Sequence, residues 1–117
     1  MSFQSEEYLV LAKELSQRGG EAASRSSISR AYYAAYHAAR RHRGAKGAMA
    51  TKSGSHGDVW RELRASGNKN WRKAGNQGKE ILEYRAAADY DDAVPELTRK
   101  MYSTVRMAEE ILLLLGP

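Results

Sequence analysis

The sequence predicts an all-α protein: an antiparallel bundle of four to five helices forming one domain over residues 1–117. Three observations carry this. Apolar residues recur at three- and four-residue spacing, and nowhere does alternation with period two persist. The only prolines are Pro95 and Pro117, so little interrupts a helix. The length suits one core that buries enough apolar surface to fold alone.

The elements follow in order. Ser5 reads as an N-cap with Glu6 and Glu7 in the first turn, where negative charge suits the helix dipole. Tyr8, Leu11, Ala12 and Leu15 form the core stripe of this first helix, and Gly19-Gly20 ends it after Arg18. The second helix runs from Glu21 to Arg43, with Ile28, Ala31, Tyr32, Ala35 and Ala39 on one face and Gly44 as its stop. So many alanines imply that another helix approaches closely. Residues 44–55, rich in glycine and small side chains, read as a loop. A short helix spans His56–Arg64, capped by Ser55, with Val59, Trp60 and Leu63 apolar. Ala65–Asn68 reads as a break. The fourth helix runs from Trp71 to Asp89, and Gly75 and Gly78 each weaken its first half by roughly 1 kcal/mol against alanine. Ile81, Leu82, Tyr84, Ala88 and Tyr90 are its packing residues, and Asp91-Asp92 the turn. The last helix starts at Pro95, with Leu97, Met101, Val105, Ala108 and Leu112 facing inward, and reaches Leu115.

Composition excludes several functions. With no cysteine there is no disulfide, thiolate metal site or cysteine nucleophile, which fits a reducing cytoplasm. His37, His42 and His56 have no carboxylates at ligand spacing, so no metal or other cofactor is expected. The N-terminus is too polar for a signal peptide, and the longest apolar run, Ile111–Leu115, cannot span a membrane. A cytoplasmic protein is expected. Charge is uneven. Residues 40–79 hold eleven basic against two acidic side chains, a net +9, between a neutral N-terminal part and an acidic C-terminal part. Such a middle suits a polyanion, and equally a solvated basic face.

The second helix carries the candidate chemistry. At about 100° per residue, His37 falls within about 20° of Arg30, Arg41 lies about 20° to the other side, and Tyr33 about 60° away. The alanine stripe lies about 140–180° off, so Arg30, His37 and Arg41 form a polar line opposite the core. Arginine offers a planar fork that matches phosphate, and histidine exchanges a proton near neutral pH. Together they supply the parts for metal-independent RNA cleavage. Arg30 and His37 stand about 10 Å apart along the axis, too far to bond each other. A two-fold dimer placing this face against itself would bring two of each into a shared cleft.

Ser26-Ser27-Ile28-Ser29-Arg30-Ala31-Tyr32-Tyr33-Ala34-Ala35-Tyr36-His37-Ala38-Ala39 resembles the signature helix of the prokaryotic HEPN domain family. Tyr84–Asp92, ending in Ala88-Asp89-Tyr90-Asp91-Asp92, resembles the "R…ADYDD" element of one branch of that family, and Ser55-His56-Gly57 matches the same branch. The resemblance spans residues 25–92. It implies an antiparallel helical bundle that forms a homodimer. It also implies a ribonuclease of the R-x4-6-H type, with Arg30 and His37 catalytic, and commonly a toxin encoded beside a small nucleotidyltransferase antitoxin. Two positions depart from the pattern. Ala31 stands where a polar residue usually follows the arginine, and Ala39 stands where a tyrosine two residues past the histidine would be the target of toxin modification. Ala31 points to the alternative, a non-catalytic partner of a nucleotidyltransferase.

The remaining residues take secondary roles. Arg41, Arg40 and Tyr33 are assigned to RNA binding. Arg85 and Asp89, four apart, pair either as a structural ion pair against helix two or to orient Arg30 or His37. His56 reads as a cap or solvent-facing residue, or as a second proton carrier. Trp60 and Trp71 read as core, with stacking on bases as the other reading.

Overall fold

A computed structural model of the chain describes residues 4–42 and 56–116. These form five helices: α1 (Ser5–Arg18), α2 (Glu21–Arg41), α3 (His56–Arg64), α4 (Lys69–Tyr90) and α5 (Leu97–Leu115). The expected loop over 44–55, the stop at Gly44 and the cap at Ser55 lie outside the described residues. The fold is all-α, as the periodicity predicts.

α2 is the central helix and touches all four others. Ile28, Ala31, Tyr32, Ala35 and Ala39 are fully buried, as is Ala34. The small side chains let the neighbouring backbones come close. One result is a buried hydrogen bond in which the Ser27 hydroxyl donates to the Ala12 carbonyl of α1 at 2.7 Å. That contact helps set the face α1 presents. Its stripe is Ser5, Leu9 and Ala12, at helical spacing, while Leu11, expected in the core, is 38% exposed. Ser5 is therefore a buried helix residue and not the cap. Gln4 holds the N-cap position without a side-chain bond. Gly19 and Gly20, at φ +83° and +94°, make the tight turn that folds α1 back on α2. α2 ends at Arg41, two residues short of expectation, where His42 turns extended.

α3 lies across α4 at the two glycines that weaken helix propensity. A Cβ on Gly78 would sit 2.0 Å from Trp60 Cε3, and one on Gly75 would sit 2.7 Å from the Arg64 backbone nitrogen. Gly78 thus admits the indole of Trp60, which is fully buried together with Leu63, and Gly75 admits the α3 backbone. Burying side chains of this size contributes roughly 1.5–3 kcal/mol each. α4 begins at Lys69, earlier than the apolar pattern suggested, because Asn68 caps it. Its side-chain oxygen accepts from the Asn70 and Trp71 backbone N–H groups at 2.9 and 3.1 Å. Tyr90, expected to pack, is 76% exposed. The last helix starts at Leu97 and not at Pro95. Pro95 lies in a turn, and Glu96 takes a left-handed conformation at φ 54°. Met101, Val105, Ala108, Ile111 and Leu115 of α5 are buried.

Candidate functional site

The polar line on α2 is present but not bare. Arg30 is exposed, and its guanidinium lies 5.3 Å from the centre of the Tyr8 ring of α1. Among the described residues it makes no ion pair, and it borders a polar hollow with Ser26, Ser29 and Asp89. His37 is half-buried, its ring 6.2 Å from Tyr8, 6.0 Å from Tyr33 and 5.7 Å from Tyr36. The Tyr8 ring therefore neighbours both Arg30 and His37. The apolar spacing of α1 puts Tyr8 on its core stripe. Tyr8 is half-buried and packs against the core as that expectation has it, and its ring also lies beside the face that the helical wheel left open.

Burial pushes the His37 pKa down from its ordinary value, and the positive charges of Arg41 and Arg40 add to this. Both arginines are exposed on the last turn of α2. Ala31, the departure beside Arg30, is fully buried, so a polar side chain there would lose its hydration.

His56 does not face solvent as a simple cap. Its ring stacks on Tyr36, with centroids 3.9 Å apart and planes 5° off parallel, and meets the Tyr33 ring edge-on at 5.8 Å. Its Nδ1 lies 2.8 Å from the Tyr32 hydroxyl, which in turn accepts from Trp60 Nε1–H at 3.0 Å. Burial lowers the His56 pKa, and the charges of Arg85, His37 and Arg40 lower it further. Burial also raises the Tyr32 pKa well above the usual phenol range, so Tyr32 keeps its proton.

Arg85 of α4 joins this cluster. Its Nη2 donates to the Tyr33 hydroxyl at 2.7 Å. Its Nε lies 2.8 Å from the Asp89 carboxylate, an ionic contact whose N–H is buried and not aimed as a hydrogen bond. Arg85 and Asp89 thus pair as expected, and the pair also orients Tyr33. His37, His56, Tyr33 and Arg85 come together. Arg30 packs on the Tyr8 ring. Trp60 is enclosed in the core. Trp71 is half-buried and edge-on to the His42 ring at 4.6 Å. Neither indole offers a free face like that of an exposed stacking platform.

Arg25 has a role that no pattern in the sequence singles out. Its guanidinium donates to the carbonyls of Ala88, Asp91 and Asp92 at 3.0, 2.6 and 2.9 Å, and its Nε to Glu21 at 3.0 Å. The Ala88–Asp92 element is held in place by this cap, with backbone and not the Asp91 and Asp92 side chains as the contact. The only signal in the sequence was an arginine one turn ahead of Ser29, which is too common to single out.

No family model, curated protein or solved structure matches the chain. Among the described residues no three histidine or acidic side chains gather as metal ligands, and no helix is long and apolar enough to cross a membrane. Chemically, the cluster offers imidazoles that stay neutral at neutral pH, guanidinium groups and phenol hydroxyls. That set can accept a proton and bind an oxyanion.

Proposed function

We propose that the chain is a metal-independent endoribonuclease of the HEPN type, acting as a homodimer and as the toxin of a toxin–antitoxin pair. The observation that carries this reading is His37, half-buried among Tyr8, Tyr33 and Tyr36 and surrounded by positive rather than negative charge. A neutral imidazole there takes the 2′-OH proton of RNA. The O2′–P bond forms and the P–O5′ bond breaks, with the leaving oxygen protonated by water. Guanidinium groups stabilise charge on the phosphoryl oxygens: Arg30, supplied across the dimer, and Arg40 and Arg41, which also hold the backbone. The test is cleavage of RNA by the purified protein in EDTA. Arg30→Ala and His37→Ala should each abolish it with the helical fold retained. Cleavage that survives both substitutions overturns the assignment.

One observation favours a second reading. The Tyr8 ring lies against both Arg30 and His37 within one chain, which suits a docking face for a nucleotidyltransferase partner. Co-purification with such an enzyme, and no cleavage by the free protein at any concentration, selects it.

A further inference from the structure

Hydrogen-bond chemistry fixes where the protons sit in the aromatic cluster. An indole N–H only donates, so Trp60 occupies a lone pair of the Tyr32 oxygen, 3.0 Å away. Tyr32 retains its own proton, and its other hydrogen-bond partner is His56 Nδ1 at 2.8 Å. The phenol therefore donates to Nδ1, and the His56 proton resides on Nε2. Reversing the pair would leave the buried Tyr32 hydroxyl proton without an acceptor, which is costly. A second chain runs parallel. Arginine never accepts, so with Arg85 donating to the Tyr33 oxygen at 2.7 Å, the Tyr33 proton must point away from Arg85. Asp89 holds Arg85 from behind at 2.8 Å. Among the described residues neither His56 Nε2 nor the Tyr33 proton has an acceptor. The two chains end on neighbouring rings, Tyr33 and His56, 5.8 Å apart, and the Tyr33 ring is 6.0 Å from His37.

We propose that His56 Nε2–H and the Tyr33 hydroxyl form a donor pair that binds a phosphate oxygen beside His37. Tyr32, Trp60 and Arg85 are its positioning residues. His56 is thus a fixed donor and not a second proton carrier. The identity of the ligand as an RNA phosphodiester rests on the endoribonuclease reading. The donor pair itself does not.

Nitrogen NMR of the histidine-labelled free protein tests the geometry without any variant. The expected result is His56 as the Nε2–H tautomer at neutral pH, and an Nδ1–H tautomer overturns the proposal. Tyr32→Phe should release His56 into a mixture of tautomers. Titration with inorganic phosphate should shift the His56 and Tyr33 ring resonances. Affinity should fall roughly tenfold or more in His56→Ala and in Tyr33→Phe. His56→Gln, which keeps a neutral N–H donor, should hold affinity near the original. Unchanged phosphate binding in both loss variants overturns the proposal. In the RNA assay, His56→Ala should lose about 10²-fold in rate while His56→Gln retains most of it. Equal loss in the two would make His56 a proton carrier and refute the fixed-donor assignment. If the tautomer and the phosphate titration hold while no RNA is cut, the endoribonuclease reading fails and the anion site stands.

Discussion

Adding one methyl group at Gly78 should disturb both the fold and the candidate site. A Cβ there would lie 2.0 Å from Trp60 Cε3, 2.2 Å from Cδ2 and 2.4 Å from Cζ3. Carbon atoms prefer about 3.5–4.0 Å, so the indole must retreat by roughly 1.5 Å. It has nowhere to go, being fully buried and tied through Nε1–H to Tyr32. Overpacking of a closed core costs about 1–3 kcal/mol, and this contact belongs at the upper end. Alanine in a helix returns about 1 kcal/mol against glycine. The net destabilisation is about 2 kcal/mol, a fall in melting temperature of roughly 10 °C for a domain of this size. Gly67→Ala is the control. Nothing lies within 4 Å of a Cβ there, and the substitution should be neutral or stabilise by about 0.5 kcal/mol. Thermal melts of the three proteins decide the matter, with the His56 resonances followed alongside. Displacing Trp60 also pulls on Tyr32, so Gly78→Ala should alter the His56 tautomer. A Gly78→Ala protein as stable as the parent would refute the packing account of α3 on α4.

Other consequences are as direct. Arg25→Ala removes three hydrogen bonds from the end of α4 and should cost about 2 kcal/mol, with faster amide exchange over residues 88–92. Arg25→Lys should recover little, because an ammonium cannot span three carbonyls, and full recovery would contradict the capping role. His37 and His56 both have pKa values lowered by folding, so the unfolded chain takes up protons first as pH falls below about 6.5. Their effect is absent above that pH and reduces stability below it. Urea midpoints should therefore drop between pH 7.5 and 5.5, less so in the His37→Ala, His56→Gln double variant, and an equal drop in both proteins would deny the effect. RNA affinity should weaken with salt at a slope of about −2 for contacts by Arg30, Arg40 and Arg41, and salt-independent binding would exclude a backbone contact. Asn68→Ala should cost about 1 kcal/mol through loss of the α4 cap, measured by chemical unfolding.

The sequence by itself determined the helices and the inner face of α2. Periodicity at 3.6 residues is a local property, and Ile28, Ala31, Tyr32, Ala35 and Ala39 display it within a few turns. It placed Arg30, His37 and Arg41 on one line for the same reason. Only the tertiary structure decided what meets that line. Tyr8 comes from another helix, His56 reaches Tyr32 across 24 positions of chain, and Arg85 reaches Tyr33 across 52. No spacing rule spans such distances. The glycines of α4 show the limit most clearly. Read locally, Gly75 and Gly78 are weak points in a helix, yet in the fold Gly78 leaves the space that the Trp60 indole occupies and Gly75 the space for the α3 backbone at Arg64. Helix propensity is set by each residue's own backbone, whereas close approach is set by the neighbour that folding brings. That neighbour also positions His56, so the inner geometry of the candidate site belongs to packing and not to pattern.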